Sequence, residues 1–127
     1  MTTGYNVLLR NAQLDAITTF AGAGALLRIY NGTRPATGGA ATTLLYEGTC
    51  GAPFAPAAAA GALSPTQPAD IAAVASGTAT WWRVVKADGT THVMDGGVGS
   101  DMTLNSNELA SGVNVDITGW TVIRGNA

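Results

Sequence analysis

Residues 78–87 read Thr-Ala-Thr-Trp-Trp-Arg-Val-Val-Lys-Ala, with two adjacent tryptophans inside a run of strand-forming residues. Successive side chains of a strand point to opposite faces, so Trp81 and Trp82 cannot enter the same core. Trp82 shares a face with Thr80, Val84 and Lys86, and Trp81 shares one with Ala79, Arg83 and Val85. A buried, unpaired guanidinium is prohibitive. The expectation is therefore that Trp82 belongs to the core and that the Trp81 face is exposed or half covered, with Trp81 lying on the Arg83 stem or against a partner. Trp81, Arg83 and Val85, together with Trp120, are the interface candidates. On this view Trp82→Ala unfolds the domain, whereas Trp81→Ala spares the isolated fold and weakens assembly.

A following segment, Thr90–Asp95, is separated from this strand by Asp88-Gly89, a hairpin signal. A two-residue type I′ turn would set Val84 opposite Val93 and Arg83 opposite Met94. A three-residue turn with Gly89 as the bulge would shift the pairing by one. Both registers remain open.

Away from this hairpin the chain divides by hydrophobic period. Apolar residues at 5, 9, 12, 16 and 20 repeat at helical spacing, which predicts a helix from Val7 to Phe20, capped by Asn6 and stopped by "AGAG" (21–24). Such a helix could pack on its own sheet or reach to a neighbour. Beyond it, residues 25–32, 41–50, 101–105, 113–117 and 120–125 read as short strands, the last two as one bent strand or a pair. Residues 51–77 form an Ala/Pro-rich excursion with short strands near 61–66 and 71–74. Pro53, Pro56, Pro65 and Pro68 argue against a central strand there. The expected fold is mainly β: a single antiparallel sandwich or small barrel, jelly-roll or immunoglobulin-like, with an N-terminal helix. Residues 1–24 would form the helical arm and 25–127 the β-domain, with strands reaching Arg124.

Composition narrows the function. Only 11% of the 127 residues are charged, where a soluble domain carries roughly 25%. A surface so sparse in charge suits burial in an assembly, and it suits equally a small, neutral, Thr-rich soluble domain. A net charge of −2 with six basic residues disfavours nucleic acid, although Trp81-Arg83 and Trp120-Arg124 could stack on bases or sugars. The longest apolar stretch, 52–63, is mostly alanine, is broken by Pro53, Pro56 and Gly61, and is too short for a bilayer. No secretion signal opens the chain, and Asn31-Gly32-Thr33 reads as a turn rather than a glycosylation site. The single cysteine, Cys50, forms no intrachain disulfide and fits a reducing cytoplasm.

No constellation suggests chemistry. The only histidine, His92, has no nucleophile-elbow serine to serve and is expected to face solvent from its strand. "DGGVGSD" (95–101) lacks the acidic pattern of a calcium loop and reads as a hairpin loop. "GAGALL" (22–27) precedes a strand instead of following one, unlike a dinucleotide fingerprint. No catalytic residue, metal site or cofactor is expected.

Four segments, "RNAQLDAI", "GALLRIYNGTRP", "GTATWWRVVKADGT" and "DMTLNSNELASGVNVDITGWTVIRGNA", resemble a family of small proteins encoded among the structural genes of tailed bacteriophages and prophages. The resemblance covers nearly the whole chain, is least distinctive over 51–77, and includes the final "GNA", beyond which it implies little follows. It implies a virion component without enzymatic activity, a capsid decoration (cement) protein synthesised in the host cytoplasm and seated on the capsid surface. Its implied partners are the major capsid protein and copies of itself in a symmetric oligomer, with neither nucleic acid nor membrane involved. A tail or neck component, or a carbohydrate-binding module on the virion, would use a similar scaffold.

Overall fold

The computed structural model describes residues 4–68 and 71–123. Helix α1 spans Val7–Ala21. Asn6 caps it as expected, its Oδ1 accepting from the Leu8 N–H at 2.7 Å. Gly22, at φ +70°, ends it and donates its N–H to the Thr18 carbonyl at 3.2 Å.

Among the described residues twelve short strands follow: β1 (Leu26–Tyr30), β2 (Leu44–Thr49), β3 (Ala62–Leu63), β4 (Ile71–Ala72), β5 (Gly77–Thr78), β6 (Trp81–Val85), β7 (His92–Gly97), β8 (Met102–Leu104), β9 (Glu108–Leu109), β10 (Asn114–Val115), β11 (Ile117–Trp120) and β12 (Val122–Ile123). The principal sheet has the order β2-β1-β6-β7, all antiparallel. Beside it, among the described residues, lie four two-stranded antiparallel ladders: β3 with β12, β4 with β10, β5 with β9, and β8 with β11. The fold is mainly β with one N-terminal helix, in keeping with a small sandwich, and the described strands do not close into a barrel. Residues 113–117 and 120–123 contribute three separate strands, because each change of partner interrupts the ladder. Arg124, expected to end the last strand, lies outside the described residues.

One apolar cluster joins the layers. Leu27, Ile29, Trp82 and Val84 from the principal sheet meet Leu63, Met102, Leu109, Val115, Ile117 and Trp120 from the ladders, with Phe54 of the excursion and Leu14 of the helix. At its centre Trp120 stands edge-on to both Trp82 (centroids 5.3 Å apart, 79°) and Phe54 (5.8 Å, 87°), the geometry that ring quadrupoles favour. Gly96 lies opposite Trp82 on β7, where a Cβ would strike the indole ring. The "GG" of 96–97 is therefore strand, and its lack of a side chain makes room for Trp82. Trp82 is the core residue, as its face predicted.

The hairpin register differs from the tight-turn expectation. Lys86 N–H donates to the Thr91 carbonyl, which leaves residues 87–90 as the connection. Asp88 Oδ1 accepts from the N–H groups of Thr90 and Thr91. These bonds and one from the Thr91 hydroxyl hold the exposed Asp88 carboxyl down at about 2. Val85 opposes His92, but Val84 opposes Met94, so Val93 is a bulge and the register slips by one. Arg83 consequently faces Asp95 instead of Met94. Beyond Val85 the pairing is the one shifted by a residue, one of the two registers left open, but the extra residue is Val93 and not Gly89.

Candidate functional site

The register slip decides the fate of the Trp81 face. Asp95 lies across from Arg83 and takes its guanidinium in a fork, Nε to Oδ1 at 2.7 Å and Nη2 to Oδ2 at 3.2 Å. Arg83 Nη2 also donates to the Gly39 carbonyl at 2.8 Å, and the Gly38 N–H donates to Asp95 Oδ2 at 3.0 Å. Loop 33–42 is thereby drawn over the outer face of the sheet. Burial raises the Asp95 pKa, but the bonds from Arg83 and Gly38 and the nearby positive charges outweigh it, so the carboxyl stays below its ordinary value. The same pair raises the Arg83 pKa.

Under this strap Trp81 is 0% exposed. Its ring stacks on Tyr30 at 4.3 Å and 16°, and the Arg83 Cζ lies 5.1 Å from its centroid. Its Nε1–H is shared between Thr42 Oγ1 at 2.9 Å and the Asn31 carbonyl at 3.2 Å. The expectation of an exposed or half-covered Trp81 face is thus corrected. A buried guanidinium is prohibitive only when unpaired, and Asp95 pairs this one. Val85 (3% exposed) and Trp120 (4%) are buried too. None of the interface candidates Trp81, Arg83, Val85 and Trp120 presents an open side chain. Arg124, expected to act with Trp120, lies outside the described residues.

His92 does not simply face solvent: its Nε2 stands 3.1 Å from Asp95 Oδ1, at the rim of the ion pair. A second pair, Arg28 Nε to Glu47 Oε2 at 2.6 Å, crosses β1 and β2 on the same outer face, and Arg28 Nη1 donates to the Gly89 carbonyl. These groups fasten backbone segments together and converge on no open space. Among the described residues there is no ligand-sized cavity and no cluster of acidic, histidine or cysteine side chains with metal-site geometry. The Cys50 thiol is buried, which pushes its pKa up to about 12 and leaves it a poor nucleophile at neutral pH.

What the molecule does present, beside scattered charges such as Arg34, Asp88, Asp101, Glu108 and Asp116, is exposed apolar surface. Large apolar side chains are exposed in two places: Val7, Leu8, Leu9 and Phe20 on the helix, and Ile71, Val74 and Val113 about the β4–β10 ladder, with Ile123 further along the chain. The candidate set drawn from the sequence missed all of these. The signal for the helical group was present in the 5/9/12/16/20 period, which marks an apolar stripe without saying which way it points. Compared with known protein families, curated proteins and solved structures, the chain finds no match.

Proposed function

We propose that this protein is a non-enzymatic structural component of a tailed-phage particle, a decoration protein seated on the outer capsid in many symmetric copies. The observation that carries the reading is the combination of a charge-poor chain, 11% charged, with exposed apolar side chains on both the helix and the β4–β10 ladder. Surface of that kind is stable when covered, and a repeating lattice of capsid subunits covers it many times over. The resemblance to phage structural-region proteins supplies the particle. The strapped sheet supplies the rigidity that a cement protein needs, because Arg83, Asp95 and Trp81 clamp a loop that would otherwise be free. With few charges to pair, attachment should survive moderate salt.

The test is stoichiometry in purified particles, by quantitative densitometry against the major capsid protein. A copy number matching the capsid lattice is the expected result. A number matching a single ring of subunits would move the protein to the neck or tail, and absence from the particle would overturn both assignments.

A further inference from the structure

Three places in the chain set an acidic or amide side chain directly before a glycine: Asn31-Gly32, Asp88-Gly89 and Asp95-Gly96. At such a pair a chain can react with itself, because no Cβ keeps the glycine nitrogen from the preceding side-chain carbonyl carbon. The structure disarms two of the three. The Gly89 N–H is engaged, donating to the Lys86 carbonyl at 2.9 Å. The Asp88 carboxyl is kept ionised by Thr90 and Thr91, and an ionised carboxylate resists attack. Asp95 is locked by Arg83 and Gly38, and its neighbour Gly96 lies against the Trp82 ring.

At Asn31-Gly32 the two reacting groups are free while the main chain around them is fixed. Neither the Asn31 side-chain amide nor the Gly32 N–H makes a hydrogen bond to any described residue. Asn31 is half-buried and Gly32 exposed, and no polar atom of the Asn31 amide is sealed from water. Gly32 stands at φ +77°, a conformation that favours glycine. The Asn31 N–H, by contrast, donates to the Thr43 carbonyl at 3.2 Å. The Asn31 carbonyl accepts from Trp81 Nε1 at 3.2 Å and from the Thr42 hydroxyl. The Gly32 carbonyl accepts from the Thr80 hydroxyl at 2.6 Å. These bonds seat the base of the strap that covers Trp81. Every other asparagine precedes a residue whose Cβ crowds the ring closure. Two of them, Asn6 and Asn11, also hold the Leu8 and Gly61 N–H groups.

We infer that Asn31 is a self-modification site, where the chain deamidates through a cyclic imide formed with Gly32 and so loosens the strap over Trp81. The Gly32 nitrogen gives its proton to hydroxide and attacks the Asn31 Cγ. The new N–Cγ bond closes a succinimide ring, and the side-chain amide nitrogen takes a proton from water and leaves as ammonia. Water then opens the ring. Addition at Cγ gives an aspartate; addition at the main-chain carbonyl gives an isoaspartate, in which the chain runs through Cβ and Cγ. The net change consumes a water and releases an ammonia, and nothing is oxidised or reduced. The aspartate product adds a charge and leaves the chain path unchanged. The isoaspartate product inserts an extra backbone carbon ahead of Gly32, which draws the Gly32 carbonyl off the Thr80 hydroxyl and displaces the base of the strap. The inference does not rest on the virion assignment, since it concerns the chain alone.

Incubation of the folded chain at mildly alkaline pH, followed by peptide mass spectrometry, tests it. The mass gain of amide to carboxyl should appear first in the peptide that carries Asn31, as a mixture of aspartate and isoaspartate. It should quicken as pH rises. Asn31→Gln, whose longer side chain closes a ring far more slowly, should stay unmodified at that position. The isoaspartate fraction, separated by chromatography, should exchange its Trp81 indole proton about fivefold faster, the factor that one hydrogen bond represents. Asn31→Asp, which has the charge without the extra carbon, should exchange that proton as the unmodified chain does. An Asn31 that reacts only in the urea-unfolded chain, or another asparagine that reacts first, would overturn the proposal. So would an isoaspartate fraction whose Trp81 proton exchanges at the original rate, or an Asn31→Asp chain that exchanges it equally fast.

Discussion

The two faces of the principal sheet bury adjacent tryptophans by different physics. Trp82 stands edge-on to Trp120, which in turn meets Phe54, and belongs to the main apolar cluster. Trp81 is as fully covered but lies outside that cluster, under a loop of small residues that carries little apolar surface of its own. What keeps the loop there is the Asp95 carboxylate, which receives Arg83 from the sheet and Gly38 from the strap. One face is closed by burying hydrocarbon. The other is closed by charge-assisted hydrogen bonds that hold a polar cover on an aromatic shelf.

The comparison breaks most sharply at Trp82. Trp82→Ala leaves a cavity between two layers that cannot collapse, and should cost about 5 kcal/mol in denaturant melts. Trp81→Ala should cost less, about 3 kcal/mol, because the strap can settle into part of the space. The structure thus replaces the expectation that this second variant spares the fold. If the two melts coincide, the strap is as rigid as the core layer and the distinction drawn here fails.

Next in size is the latch itself. Asp95→Asn keeps the side-chain shape but removes the charge facing Arg83. It also turns one of two accepting oxygens into an amide nitrogen that cannot accept from Arg83 or Gly38, and should cost about 2 kcal/mol at neutral pH. The pH dependence has a definite sign. The folded carboxyl is held below its ordinary value, so its stabilisation is complete above the unfolded value of about 4 and is lost as pH falls through the lowered folded value. Melts of the two chains should therefore converge in acid. A gap that stays constant down to low pH would show that Asn fails for reasons other than charge.

How much of this could be read from the sequence depended on whether a residue's role was local. The α1 cap at Asn6, its stop at Gly22 and the Trp82 face follow from neighbours within a few positions, and all appear in the structure. The cover on Trp81 was illegible for two reasons. Loop 33–42 has no hydrophobic period to announce that it folds back, since it holds on through backbone groups of Gly38 and Gly39. The bulge at Val93, which brings Asp95 to Arg83, leaves no turn signature in the hairpin sequence. Ladders such as β5–β9 and β3–β12 are two residues long, too short for any alternation to show. At the helix, periodicity revealed the stripe but not its direction, which the flanking Asn11 and Asp15 bonds to residues 58–61 determine.

The smallest expected effect lies at the edge of the strap and separates its polar bonds from its shape. Thr42 accepts the Trp81 indole N–H and itself donates to the Asn31 carbonyl. Thr42→Val preserves the branched shape and removes both bonds. Trp81 Nε1–H retains the Asn31 carbonyl, 3.2 Å away, and that acceptor loses its competing donor. The indole is therefore never left unsatisfied, and the loss should be no more than about 1 kcal/mol. Because the remaining bond is to a backbone group at the strap's base, the strap should open more often without the whole domain melting earlier by much. Exchange of the Trp81 indole proton, followed by NMR, should quicken in Thr42→Val. The Trp82 indole proton, bonded to the Gly97 carbonyl within the sheet, should exchange as in the unmodified chain. Equal acceleration at both indoles would mean that the strap and the core open together as one unit.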